Sequence, residues 1–292
     1  MSKTKSSFRG FFDQPLSGDT NYYAGSRRAP FAWYGGKYYY SQWILENFPE
    51  HRIFIEPFGG AGNILLNKIE SEVEIFNDLD SRITNFYYVL REKELFAELE
   101  RRLALTPYSR EVFEKVIAEP EPEEPVHRAY NFFIKCRQSM GGTGMSKLSP
   151  ASWVMSLRTR RKMAEPVSKY LSTIEGLEPI AERFRSVVIE NLDAVKLITK
   201  YDREDSLIYC DPPYLPETRN QNTNTYGFEM SVEEHTQLLE KLRECRGKVI
   251  LSGYNSKLYT EKLSNWRKDE LETKSYMKNS GQARTEVLWM NF

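Results

Sequence analysis

Six short apolar runs, each closed by a turn residue or an acid, divide the chain: "RIFIE" from Arg52, "VEIF" from Val73, "SVVIE" from Ser186, "SLIYC" from Ser206, "KVILS" from Lys248 and "TEVLWMNF" from Thr285. Runs of this length bounded by turn signals predict short buried strands. Between them the apolar spacing turns helical. Tyr39, Trp43, Ile44 and Phe48 lie on one predicted helical face, Ser81 to Leu103 reads as continuously helical, and Ser231 to Cys245 is a helix that Ser231 caps with Glu234 three residues on. Alternating strands and helices predict a three-layer α/β domain. The acidic, proline-rich "AEPEPEEP" at Ala118–Pro125 marks a boundary. Beyond it, "SMGGTGMSKLSP" is too rich in Gly and Ser for a helix interior and predicts a loop or hairpin. The resulting division is a flexible N-terminal arm over 1–28, one domain built from 29–118 and 186–292, and an insertion over 119–185.

Composition adds bounds. The chain has 292 residues, 40% apolar and 28% charged, enough for one sizeable core and an accessory subdomain. No run approaches the roughly 18 uninterrupted apolar residues of a membrane span. The first twenty residues lack the apolar core of a secretory signal, which points to the cytoplasm. Three cysteines without a C-x-x-C pair and three scattered histidines argue against a metal centre. Net charge is zero, yet Val126 to Arg185 carries eleven Lys and Arg against four acids. Such a segment is either a solvated helical face or a phosphate-binding surface.

The chemistry begins at "SLIYCDPPYLPETR", Ser206–Arg219. Two consecutive prolines cannot continue a sheet, since neither offers a backbone N–H. They leave Asp211 and Tyr214 at the carboxyl end of a strand, where open α/β sheets bind ligands. Cys210, inside the run, reads as apolar filler rather than a nucleophile. The glycine loop "EPFGGAGN", Glu56–Asn63, lies between a strand and a helix, so its backbone can approach a ligand closely. It is neither a Walker loop nor a full G-x-G-x-x-G. The next strand ends in Asn77-Asp78, and an acid there commonly accepts hydrogen bonds from ribose hydroxyls. Helix capping is the competing role for Asp78.

Five motifs in order, "WYGGK" (Trp33–Lys37), "EPFGGAG" (Glu56–Gly62), Asn77-Asp78, "DPPY" (Asp211–Tyr214) and the closing "EVLWMNF", resemble those of the Dam-like DNA adenine-N6 methyltransferases over about Phe31 to Phe292. The resemblance implies a Rossmann-like methyltransferase sheet interrupted by a DNA-recognition subdomain, S-adenosylmethionine as cofactor, no metal, and double-stranded DNA as partner. It implies that Trp33, Lys37, Phe58, Gly59, Gly60, Asp78, Asp193 and Asp211 contact the cofactor, with Asp193 as the acid at its adenine. Lys37 as a solvated lysine, Trp33 as a core aromatic and Asp193 as a helix-entry turn are the competing roles. Asp211, Pro212, Pro213 and Tyr214 form the catalytic set. An exocyclic amine is a poor nucleophile because its lone pair is delocalised into the ring. Asp211 and the Pro212 carbonyl accept its hydrogen bonds, and Tyr214 stacks on a base flipped from the duplex.

The insertion then holds DNA. Arg137 aligns with an arginine that begins the recognition loop of the family, and Gln138, Ser139, Met140 and Lys147 follow it as candidate base or phosphate contacts. Where the family carries aromatic-Asn-Gly, this chain has Met140-Gly141-Gly142, which predicts a target other than plain GATC. A cytosine-N4 methyltransferase and a non-catalytic DNA-binding relative are the alternative functions. A separate restriction endonuclease is an additional candidate partner, since no nuclease segment is visible in the chain.

Overall fold

The computed structural model describes residues 22–25, 27–33, 35–140, 148–218, 229–274 and 283–292. The strands are β1 (Ile53–Glu56), β2 (Val73–Asn77), β3 (Thr159–Arg160), β4 (Met163–Ala164), β5 (Val187–Glu190), β6 (Ser206–Cys210), β7 (Lys248–Gly253), β8 (Arg267–Lys274) and β9 (Ala283–Met290). Seven of them form one sheet in the order β5-β2-β1-β6-β7-β9-β8, while β3 and β4 pair as a separate hairpin. From β5 to β7 every pairing is parallel; β9 runs antiparallel to β7, and β8 to β9. All six apolar runs of the sequence are strands of this sheet.

Strand alternation sorts the core into two faces. Phe54, Phe76, Leu207, Tyr209, Ile250 and Leu288 point to one side, where they meet α1 (Ser41–Glu46), α2 (Asn63–Asn67), α3 (Ser81–Arg91), α4 (Lys93–Leu105), α5 (Arg110–Ala118), α6 (Pro125–Gln138), α7 (Glu165–Glu175) and α8 (Leu177–Phe184). Ile55, Ile75, Ile208, Cys210, Val249 and Leu251 point to the other, under α9 (Ala194–Tyr201), α10 (Val232–Arg243) and α11 (Lys257–Lys262). Cys210 is fully buried in that second layer, and burial pushes its thiol well above the ordinary range, as filler should be.

The helices of 119–185 share the first layer. Phe133 of α6 stacks against Phe86 of α3, Phe132 packs tilted on the same ring, and Tyr170 of α7 meets Phe133. Arg183 of α8 donates to Glu74 of β2 at 2.5 and 2.8 Å, and Lys68 reaches the same carboxylate at 2.5 Å. The acidic "AEPEPEEP" turns the chain between α5 and α6, with Glu124 accepting from the first N–H groups of α6 and Pro125 at its first position.

Three local expectations change. The helix expected over Ser81–Leu103 is two, broken at Glu92, whose extended backbone caps α4. Tyr39 is 85% exposed rather than on a core face, because Tyr38–Tyr40 form a 3₁₀ turn whose three-residue period falls out of register with α1. Of the expected loose arm, Tyr22–Gly25 and Arg27–Arg28 are tied down. Tyr22 is buried against Phe48 and His51, Tyr23 bridges Lys68, and Ala24 N–H donates to the Asn67 carbonyl at 2.8 Å. The rest of the arm lies outside the described residues.

Candidate active site

Strand parity places the chemistry before any contact is measured. Glu56 follows Phe54, Asp78 follows Phe76, and Asp211 follows Tyr209 by two residues, so all three acids share one face at the carboxyl edge of the sheet. There they line one cleft with Trp33, Lys37, Phe58, Gly59, Gly60, Leu192, Asp193 and Pro213. All eight residues expected to contact a cofactor therefore meet in this cleft.

The glycine loop is shaped by what covers it. A Cβ on Gly59 would stand 2.2 Å from Cε2 of Phe76, and Gly60, at φ +50°, carries the Trp33 ring where a Cβ would stand, 2.9 Å from Cδ1. Trp33 itself is half-buried, edge-on to Phe31 at 6.0 Å, so it is at once a core aromatic and a wall of the cleft. Asn77 stitches the loop to its neighbours: its Nδ2 donates to the Pro57 and Leu192 carbonyls at 2.8 and 3.0 Å, and its Oδ1 accepts from Leu192 N–H. Asp78 accepts from Gly60 N–H and Asp80 N–H, both at 2.8 Å. Burial nevertheless pushes its carboxyl up to about 7, the two N–H groups offsetting only part of the rise. The cap of α3 is Asp80, not Asp78, which removes the competing role for Asp78. Asp193 does cap α9, accepting from Lys196 N–H at 3.0 Å, and lines the cleft as well.

At the β6 end, Lys37 Nζ lies 3.0 Å from Asp211 Oδ1 and 2.9 Å from the Gly35 carbonyl. Lys37 is buried, so it is not a solvated lysine. Burial alone would lower its pKa, but Asp211 and Glu286 outweigh that and raise it. Burial pushes Asp211 up to about 6 even with Lys37 beside it, and Glu286 adds to the rise. Tyr214 is 7% exposed. Its hydroxyl donates to Glu286 at 2.8 Å and sits 3.2 Å from Ser252 Oγ. Its ring has Lys37 Nζ 4.7 Å from the centroid and Tyr254 edge-on at 4.6 Å.

Three residues of this site escaped the sequence reading. Glu56 is 2% exposed on the cleft wall, with Oε2 lacking a hydrogen-bond partner among the described residues and its carboxyl pushed well up by burial and then by Asp211. Glu286 and Ser252 are buried beside Tyr214. Glu56 and Ser252 carry a local signal, a polar residue closing a buried run in "RIFIE" and "KVILS", whereas Glu286 only precedes its run in "TEVLWM".

The expected DNA contacts divide differently. Arg137 is half-buried at the end of α6, with Nη2 donating to the Lys169 carbonyl at 3.2 Å. Burial lowers its pKa. Gln138 is fully buried with both amide atoms lacking a hydrogen-bond partner among the described residues, and Ser139 is buried in a bridge to Trp153. Neither is presented to a ligand in this state, because Ser139 pairs with a residue fourteen positions on and folds the chain end inward. Met140 is 65% exposed. Lys147, Gly141 and Gly142 lie outside the described residues. The open cationic surface is instead the β3–β4 hairpin, where Arg158, Arg160, Arg161 and Lys162 are exposed and the turn residues Arg161 and Lys162 take φ of 53° and 59°.

The chain is 24% identical over 273 residues to a DNA adenine methylase of Salmonella typhi, covering 89% of this chain and 92% of that protein. It is 25% identical to the DNA adenine methylase of Escherichia coli (strain K12), with the same two coverages. A DNA N-6-adenine-methyltransferase of Escherichia phage P1 matches at 25% over 77% of this chain but only 29% of its own length. The profile of the D12 class N6 adenine-specific DNA methyltransferases matches residues 33–279, from the tryptophan of the cleft wall past the acid–proline–proline–tyrosine turn, and the chain belongs to that family.

Proposed function

We propose that the protein is a site-specific enzyme that transfers the methyl group of S-adenosylmethionine to N6 of an adenine flipped out of duplex DNA. The observation that carries this reading is the placement of Asp211, held at 3.0 Å by Lys37, on the rim of a glycine-floored cleft.

The cleft fits the cofactor. Gly59 and Gly60 let the Phe76 and Trp33 rings close directly on the loop, which leaves its backbone facing the cleft, and Oε2 of Glu56, without a hydrogen-bond partner among the described residues, is available on the wall. Trp33, Phe58, Gly59 and Gly60 would hold the body of the molecule, Asp78 its ribose hydroxyls, Asp193 its adenine, and Lys37 its charged end. When bound, it supplies an electrophilic methyl group on a sulfonium. Everything else falls to the chain. Asp211 and the Pro212 carbonyl accept the two hydrogens of the adenine amino group, which aims its nitrogen into the cleft and favours the positive charge that develops there. Pro212 and Pro213 fix the direction of that carbonyl. Because the Tyr214 ring is already flanked by Lys37 and Tyr254, it acts as a fixed wall against which a flipped base is placed, rather than as a free stacking plate.

On the DNA side, the β3–β4 hairpin supplies phosphate contacts through Arg158, Arg160 and Lys162, and Arg137 acts from beneath. A separate restriction endonuclease reading the same site is compatible with this activity. The relatives, bacterial and phage-borne, support a setting in the cytoplasm of a bacterium. The test is transfer of labelled methyl from S-adenosylmethionine to duplex DNA, followed by mass analysis of the nucleosides. N6-methyladenine is the expected product; N4-methylcytosine, or no label, refutes the reading.

A further inference from the structure

One acid on the rim has no part in the chemistry described so far. Glu286 is the fourth residue of β9, and because β9 runs antiparallel to β7, its entering half comes in at the carboxyl edge of the parallel strands. Val287 pairs with Gly253, the last residue of β7, so Glu286 stands just beyond that pairing, level with the loop that carries Tyr254. Parity sets it on the face of Leu288 and Met290, the same face as Tyr209, Asp211 and Ser252. It is 5% exposed, and every one of the four residues after it, Val287 to Met290, is a buried hydrophobe.

We infer that Glu286 is a positioning residue for methyl transfer, its carboxylate fixing the Tyr214 hydroxyl so that the ring keeps one orientation beside Asp211 when the target base enters. This rests on the reading of Asp211–Tyr214 as the catalytic turn. The turn itself is a loop of irregular backbone, and Tyr214 sits three residues beyond the strand that anchors it. Glu286, by contrast, belongs to a strand paired on both sides. The 2.8 Å hydrogen bond from Tyr214 therefore ties a loop side chain to the sheet. Ser252, at 3.2 Å from the same hydroxyl, confines it from β7. A carboxylate buried in an apolar run is costly unless paired, and its hydrogen-bond partner here is the tyrosine of the catalytic turn. The same charge also acts on Asp211, which faces Lys37, Glu56 from β1, and Tyr209 and Tyr214 from its own strand and loop, with Cys210 and Tyr259 of α11 on the other side of the sheet. Removing the Glu286 charge favours ionised Asp211, so the acid limb of the rate profile moves to lower pH.

The experiment is single-turnover methyl transfer to a duplex with one target adenine, beside cofactor affinity by calorimetry, for the wild type, Glu286→Ala, Glu286→Gln, Tyr214→Phe and the Tyr214→Phe/Glu286→Ala double variant. Glu286→Ala and Tyr214→Phe are each expected to slow transfer about tenfold to a hundredfold, with cofactor affinity held within about twofold, and the double variant is expected to be no slower than the worse single. Glu286→Gln, which keeps an oxygen acceptor, is expected to recover most of the rate and to shift the acid limb down. Equal losses from Glu286→Ala in the wild-type and Tyr214→Phe backgrounds, or no loss in either, overturn the inference. If Glu286→Ala yields no folded protein, Tyr214→Phe decides: slower transfer at unchanged cofactor affinity supports the inference, and an unchanged rate overturns it. A wild-type protein that leaves adenine unmethylated overturns the underlying reading and this inference together, whereas active wild type with indifferent variants removes only this inference.

Discussion

Asp78→Asn isolates the cost of keeping an ionisable group in the cleft. Asp78 is partly buried, with both oxygens engaged by backbone N–H groups, and burial lifts it from the ordinary 3.8 to about 7. The folded protein therefore binds this proton more tightly than the unfolded chain, and stability from this group is fully present below about pH 4 and lost as pH rises to about 7. At about 1.4 kcal/mol per pH unit, the rise is worth on the order of 4 kcal/mol as an upper bound, since the cleft side of the carboxyl meets water. Asparagine removes that pH dependence. It also turns one acceptor into a donor facing a backbone N–H, which costs about 1–3 kcal/mol. The assay is urea unfolding of both proteins from pH 4.5 to pH 8 without cofactor. The stability of the variant relative to wild type should climb by about 2–4 kcal/mol across that range, while its affinity for S-adenosylmethionine falls, because ribose hydroxyls lose a carboxylate acceptor. A difference that stays flat with pH would refute the argument that burial of Asp78 is paid for in stability.

Other consequences are as direct. Gly60→Ala puts a Cβ 2.9 Å from the Trp33 ring at a left-handed backbone position; it should cost about 1–3 kcal/mol in thermal unfolding and weaken cofactor binding about tenfold or more. The rate of transfer should fall on the acid side with a midpoint at about 6, where Asp211 takes up its proton, and a profile level down to pH 5 would remove Asp211 from the reacting nitrogen. With Met140-Gly141-Gly142 where the family carries aromatic-Asn-Gly, and Gln138 buried, modification in an unmethylated host should map to adenines outside plain GATC, and complete, strict GATC methylation would contradict this.

The sheet was legible because its central strands are buried on both faces and show as apolar runs. β8, Arg267–Lys274, was not: six of its eight residues are charged, as befits an exposed sheet edge, and its Asp269 is held by Trp43 and Asn47 from the far end of the chain. The cleft was legible from local motifs, since Asp78 and Asp211 each follow directly on a strand and Gly59 lies three residues past one. What escaped depends on distant pairings. Gln138 is buried because Ser139 meets Trp153, and Glu286 matters because an antiparallel strand brings it to the rim; neither follows from local spacing.

The central claim is that Asp211 orients the amino group that receives the methyl. Single-turnover transfer by wild type and Asp211→Ala, on one duplex with one methylatable adenine at saturating cofactor, tests it most directly. The account predicts N6-methyladenine from the wild type and a rate at least about a hundredfold lower from the variant, in a protein that still unfolds cooperatively. Equal rates from the two proteins would contradict it.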